Sequence, residues 1–238
     1  VEENNHAVDY GIDFYAMQTI ETPDGRRVMI GWMQNWDTVF HDDQDHWYGQ
    51  MSLPREVRIK DNRLYQVPIR ELLDHRRNEI KYENVLVQGN GNLAETSTST
   101  LTKENCLRLD GISGRMIDME LSIDASEDFF EKFTICLAAD EKHHTNISFR
   151  PQESIVKIDR KFSGSRRAVI HQRRAWVDTD GCKLKLRIIL DRFSMEVFIN
   201  DGRQVMTATL YTDMSADQIY FTCDKDAILN ITKYDLVF

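Results

Sequence analysis

Apolar residues recur at every second position along much of this chain, and that rhythm constrains the fold more than any other feature. Leu184, Leu186, Ile188 and Leu190 alternate with Lys183, Lys185, Arg187 and Ile189. Side chains two apart on a strand share a face, so the pattern predicts a strand with one buried side. Met195, Val197 and Ile199 repeat it and stop at Asn200-Asp201-Gly202, residue types that tolerate positive φ and so predict a hairpin turn. Residues 205–210 return as the next strand, and Asp191-Arg192 marks another tight turn. Further strands are predicted at 13–19, 27–33, 50–59, 64–67, 115–123, 133–138, 146–149, 154–159, 218–222 and 227–237. Thr22-Pro23-Asp24-Gly25 and Asp61-Asn62 read as the turns between early strands. Only 69–82, where Leu72 and Leu73 lie among many charges, reads as a short helix or linker, and the domain boundary is placed there. Residues 90–102, rich in Asn, Ser and Thr, read as a loop or edge strand. The fold class is all-β.

The 238 residues allow one large β unit or two domains. Charged residues at 29% and hydrophobic residues at 41% lie near globular averages, which excludes a disordered chain. No apolar stretch reaches the roughly 20 residues of a membrane span, so no membrane partner is expected. A formal net charge of −9 opposes binding to phosphate backbones, which removes nucleic acid as a partner. The one basic cluster, Arg166, Arg167, Arg173 and Arg174, is interrupted by Ala168-Val169-Ile170. Outward side chains of a strand account for it, with an anion patch as the functional alternative. Cys106, Cys136, Cys182 and Cys223 form no C-x-x-C pair, so buried thiols in a reducing compartment are the simplest account. Neither a metal nor another cofactor is expected. The acidic run 41–46 lacks the glycine and terminal Glu of a calcium loop and the spacing of a zinc site, and reads as solvated.

The N-terminal quarter is dense in aromatics and carboxylates. Asp9, Tyr10, Asp13, Phe14 and Tyr15 crowd one strand, and Trp32, Trp36, Trp47 and Tyr48 follow. Aromatic faces beside carboxylates suit sugar rings, whose C–H faces stack while their hydroxyls donate. A packed aromatic core explains the same residues.

Residues 9–18, D-Y-G-I-D-F-Y-A-M-Q, resemble the D-Y-G-x-D-F-Y-A-x-Q segment of glycoside hydrolase family 32, the β-fructofuranosidases. The likeness continues in order. Residues 25–36 are similar to its G-R-R-x-x-I-G-W-M-x-N-W, 52–56 to S-L-P-R-E, and 63–68 to R-L-x-Q-x-P, while Asp191-Arg192, Glu196-Val197-Phe198 and Asn200-Asp201-Gly202 resemble the D-R, E-V-F and N-D-G of its C-terminal domain, with Phe193 in place of the usual Ser. Five motifs in the right order imply the last blade of a five-bladed β-propeller over 1–70, a linker over 71–78, and a C-terminal β-sandwich over 79–238. The resemblance also makes Asn35 and Trp36 candidate sugar contacts, with Asp13 and Tyr15 nearby.

The family cleaves with retention, through an Asp nucleophile in N-D-P-N-G, a Glu acid/base in E-C-P and a stabilising Asp in R-D-P. The four prolines, Pro23, Pro54, Pro68 and Pro151, follow Thr22, Leu53, Val67 and Arg150, so none of the three motifs is present. No catalytic residue is therefore assigned within this chain, which is expected to start after the catalytic blades. The leading expectation is the C-terminal part of a retaining β-fructosidase acting on sucrose, sucrose 6-phosphate or fructans, inactive in isolation. Its partners would be a fructose-containing saccharide and the N-terminal catalytic part. A lone blade exposes strand edges, so the chain should aggregate, self-associate or hold such a part. The competing expectation is a non-catalytic carbohydrate-binding or partner-binding protein derived from the family. A cytoplasmic location follows from the free-cysteine reading and the likeness to bacterial sucrose-6-phosphate hydrolases.

Overall fold

The computed structural model describes residues 7–34, 49–91, 106–164 and 170–238. Fifteen strands in three antiparallel sheets make up the described residues, with short 3₁₀ turns at Arg70–His75 and Pro151–Glu153. No described helix is long and apolar enough to cross a membrane.

The first sheet is a four-stranded meander in the order β1 (Tyr15–Glu21), β2 (Arg27–Trp32), β3 (Arg55–Lys60), β4 (Arg63–Pro68). Its hairpins use the residues the sequence offered. Gly25 has φ 81° in the β1–β2 turn, and Asp61 and Asn62 have φ 51° and 56° between the paired Lys60 and Arg63. Two consecutive positive φ values match the right-handed twist of flanking strands.

The remaining strands form two facing sheets. One has five strands, β10 (Gln172–Trp176), β9 (Ile155–Phe162), β8 (His144–Arg150), β7 (Phe133–Ala139) and β14 (Gln218–Cys223). The other has six, β13 (Gln204–Thr209), β12 (Ser194–Ile199), β11 (Leu184–Asp191), β6 (Met116–Ala125), β15 (Ala227–Leu236) and β5 (Arg76–Val87). Alternate residues fill the space between them: Leu184, Leu186, Ile188 and Leu190 pack with Ile135, Ile147, Val156 and Ile158 in one core. Each such buried side chain stabilises the fold by about 1.5–3 kcal/mol. Ile189 has the opposite parity yet is also buried, because Leu72 of the first 3₁₀ turn packs with it, Phe198 and Leu236 over the outer face of the six-stranded sheet.

The segment 69–82 is corrected. Its first half is the 3₁₀ turn, but β5 begins at Arg76, so residues 76–78 belong to the sandwich and not to a linker. The pairing of β5 with β15 slips twice, between the Leu229 and Ile231 partners and between the Lys233 and Asp235 partners. Asn84 and Asn78, with φ 53° and 51°, lie at those slips. An extra residue at each bulge resets the parity and breaks the two-residue period by which strands are recognised. Most of the segment 90–102 lies outside the described residues.

Candidate functional site at the blade–sandwich seam

Arg55, the first residue of β3, is wholly buried. Its guanidinium has five N–H donors in a fixed plane, and five contacts to four acceptor atoms meet them. Nε donates to Glu196 Oε2 at 2.8 Å, and Nη2 reaches the same oxygen at 2.6 Å. Nη2 also donates to Thr207 Oγ1 at 2.6 Å, while Nη1 donates to Asp9 Oδ2 and Gln66 Oε1, each at 3.0 Å. The Phe14 and Phe198 rings lie 4.4 and 5.5 Å away. Glu196 Oε1 accepts the Leu53 N–H at 2.6 Å. Burial pushes the Glu196 carboxyl upward, against the opposing pull of Arg55. Burial also works against the Arg55 charge, but Glu196 and Asp9 outweigh it and hold the guanidinium above its usual range.

The D-Y-G segment explains how Asp9 arrives there. Tyr10 N donates to Val205 O at 2.8 Å and Ile12 N to Thr207 O at 2.7 Å, so the segment lies along β13. A Cβ at Gly11 would sit 2.0 Å from Thr207 N, which leaves glycine as the residue that fits. The N-D-G turn meets the blade in the same way. Gln66 N donates to Gly202 O at 2.9 Å, and a Cβ on Gly202 would lie 1.8 Å from Gln66 O.

A second knot holds Asp13. Its carboxylate pairs with Arg160 and accepts Thr209 N and Oγ1 at 2.7 and 2.8 Å. Arg160 continues to Thr209 Oγ1 at 2.7 Å and to Ile170 O at 3.2 Å. Both charged side chains are fully buried.

These placements sort the sequence candidates. Asp13 is not a pocket-wall residue: it has no accessible surface, and Arg160 and Thr209 occupy its carboxylate, so it joins the two units. Tyr15 opens β1, is 45% exposed and pairs with Trp32. Asn35 and Trp36 lie outside the described residues, as do the acidic run 41–46, Arg166 and Arg167. The strand ends from which 35–48 departs are fixed. Met33 N donates to Gln50 O and Ser52 N to Gly31 O, both at 2.8 Å, and Gln50 Nε2 donates to Phe193 O of the sandwich at 3.1 Å. No group of three or more potential metal ligands occurs among the described residues. Cys136, Cys182 and Cys223 are buried, and burial pushes the Cys223 thiol up to about 12.

Arg55, Glu196, Gln66, Thr207 and Arg160 were not singled out from sequence. Arg160 carried a usable signal: it follows Val156 and Ile158 at the buried parity of β9, where a charge is rare unless paired. Glu196 carried no such signal, because its alternation with Met195 and Val197 assigns it to the outer face of β12.

The family model described as the glycosyl hydrolases family 32 N-terminal domain matches residues 1–68, and that described as the family 32 C terminal matches 71–235. A sucrose-6-phosphate hydrolase of Staphylococcus xylosus is 32% identical, with 97% of this chain and 43% of that protein covered. A levanase of Bacillus sp. (strain L7) is 31% identical, with 90% of this chain and 23% of the levanase covered. The chain thus spans less than half the length of these relatives. Among solved structures, a sucrose-6-phosphate hydrolase from Lactobacillus gasseri aligns with TM-score 0.74 at 24% identity, over 97% of this chain and 42% of that one. Fructan 1-exohydrolase IIa from Cichorium intybus aligns with TM-score 0.79 at 19% identity, over 96% and 48%. Their propeller-plus-sandwich architecture fits both units here, with β1–β4 as a blade and the two larger sheets as the sandwich.

Proposed function

The chain belongs to glycosyl hydrolase family 32, and from that membership we propose that it is the C-terminal part of a retaining β-fructosidase acting on terminal β-fructofuranosyl bonds in sucrose, sucrose 6-phosphate or a fructan. The observation that carries the reading is the joint itself: motifs spread from Asp9 to Gly202 meet in one buried seam between blade and sandwich.

In a retaining glycosidase two carboxyl groups about 5–5.5 Å apart flank the scissile bond. One attacks the anomeric carbon, the other protonates the leaving oxygen, and water then releases the sugar. The three motifs that would supply the family's carboxylates are absent from this sequence, so both come from a preceding part. The contribution of this chain is position. The Arg55 knot holds the last blade on the sandwich, and the Gln50–Phe193 bond steadies the base of 35–48. Within this reading Asn35, Trp36 and Tyr15 are the candidate contacts to fructose.

Sequencing the native gene upstream of Val1 tests the reading. An open frame encoding N-D-P-N-G, R-D-P and E-C-P segments is expected. A start codon immediately before Val1 would favour a non-catalytic binding protein instead.

A further inference from the structure

The parity that buries Ile135, Ile147, Phe149, Val156 and Ile158 turns the intervening residues of the five-stranded sheet outward, away from the seam. On that outer face lies a groove of about 260 Å³. Five cations line it, Lys132, Arg150, Lys157, Lys161 and Arg174, against the single carboxylate of Asp159. This imbalance occurs in a chain whose formal net charge is −9. Strand pairing explains the convergence: Arg174 is opposite Lys157, Lys157 opposite Ser148, and Ser148 opposite Thr134. The Arg173-Arg174 end of the basic cluster is therefore split, with Arg174 turned to the groove.

Internal pairing leaves a positive excess. Lys157 lies 3.2 Å from Asp159, and Arg150 lies 3.1 Å from Glu153. Asp159 also accepts Gln172 Nε2 at 2.6 Å. No carboxylate among the described residues is within 4 Å of Lys161 or Arg174. An oxyanion bonded by several ammonium and guanidinium groups would complete this arrangement.

Two further features point to a polyol attached to that anion. Asn146 lines the groove, and its buried Oδ1 has no hydrogen-bond partner among the described residues. It can accept from a hydroxyl, which a bare phosphate dianion does not offer. Thr134 and Ser148 add hydroxyls beside it. The size is that of a small ligand, since pockets for drug-sized molecules begin at roughly 300 Å³.

We propose that this groove is a binding site for a small phosphorylated sugar, separate from the fructose pocket. The cations hold the phosphate while Asn146, Thr134 and Ser148 bond the hydroxyls. The proposal goes beyond the fructosidase reading and stands without it.

Titration calorimetry of the 238-residue chain with glucose 6-phosphate, inorganic phosphate and glucose tests it. Glucose 6-phosphate is expected to bind about tenfold or more tighter than inorganic phosphate, and glucose to bind more weakly still. The changes Lys157→Gln and Arg174→Gln, made together, should weaken glucose 6-phosphate about tenfold or more, and Asn146→Ala should weaken it while leaving inorganic phosphate unchanged. Amide shift mapping on the unaltered chain keeps the test independent of variant folding, with changes expected around Thr134, Asn146, Ser148 and Lys157. Equal affinity for phosphate and glucose 6-phosphate, no binding, or shifts confined elsewhere would overturn the proposal.

Discussion

Arg55 and Glu196, 141 residues apart in sequence, meet in the interior, where Nε and Nη2 of the arginine converge at 2.8 and 2.6 Å on one glutamate oxygen. The other glutamate oxygen holds the Leu53 backbone, so one carboxylate fastens both a side chain and a main chain of the blade. A buried charge that loses its partner costs far more than an exposed one, typically about 3–5 kcal/mol. Arg55→Met would strand Asp9 and Glu196 together without a cation, and should lower stability by about 3–5 kcal/mol in urea unfolding. Arg55→Lys should rescue little, because three donors on a flexible stem cannot meet four acceptors arranged around a planar fork. Glu196→Gln keeps an acceptor and leaves Asp9 as counter-charge, so its loss should be smaller. A change within about 0.5 kcal/mol for Arg55→Met would mean that the seam does not depend on this knot.

Gly25 and Gly202 separate backbone strain from close approach. Their φ values are 81° and 84°, but a Cβ at Gly25 meets nothing within 4 Å, whereas one at Gly202 would lie 1.8 Å from Gln66 O. Gly25→Ala should cost about 1 kcal/mol, from the positive φ alone. Gly202→Ala should cost clearly more, about 2 kcal/mol or beyond, because the blade must also move off the turn. Equal losses for the two, read as midpoint shifts in thermal or urea unfolding, would contradict the docking role of the N-D-G turn.

How much of this was legible follows from particular residues. The strands β11 and β12 were readable because their alternation is unbroken and their turn residues are explicit. The strand β5 was hidden by Asn78 and Asn84, whose bulges reset the parity. Asp13 misled because a carboxylate among aromatics reads alike in a sugar pocket and in a buried seam. What distinguishes the two is Arg160, 147 residues away, and only the fold brings them together. The motifs of the D-Y-G, S-L-P-R-E and N-D-G segments were visible as likeness, but their shared purpose lay in contacts between the two units.

His144 supplies a pH dependence. Its ring is buried against Phe162, with centroids 5.2 Å apart. Burial lowers its pKa from 6.5, more strongly than Asp159 and Asp140 raise it, and His143 adds to the lowering. The unfolded chain then binds the proton more readily than the folded one. Stability from this group is complete above pH 6.5 and falls as pH drops toward the lower folded value, by at most about 1.4 kcal/mol per pH unit. Urea unfolding of His144→Gln should show a flatter slope just below pH 6.5 than the parent chain. Identical slopes would assign that pH dependence to other groups.

Trp36 tests the pocket wall. In the complete enzyme, Trp36→Ala should leave folding intact and reduce kcat/KM for fructosides about tenfold or more, since an aromatic face and exclusion of water are both lost. An unchanged kcat/KM in a folded variant would make Trp36 an ordinary surface or core residue.

Under the proposed function this chain positions a fructosidase active site whose nucleophile and acid come from elsewhere. The direct measurement is fructose release from sucrose and levan by the purified 238-residue chain, alone and with the preceding blades joined to it. Alone it should show no turnover above background, because an acceleration that enzymes carry to 10⁶-fold or more, roughly, requires the missing carboxylates. With the blades joined, hydrolysis should appear. Turnover by the chain alone that vanishes on changing one of its own carboxylates would place the chemistry inside this piece and contradict the account.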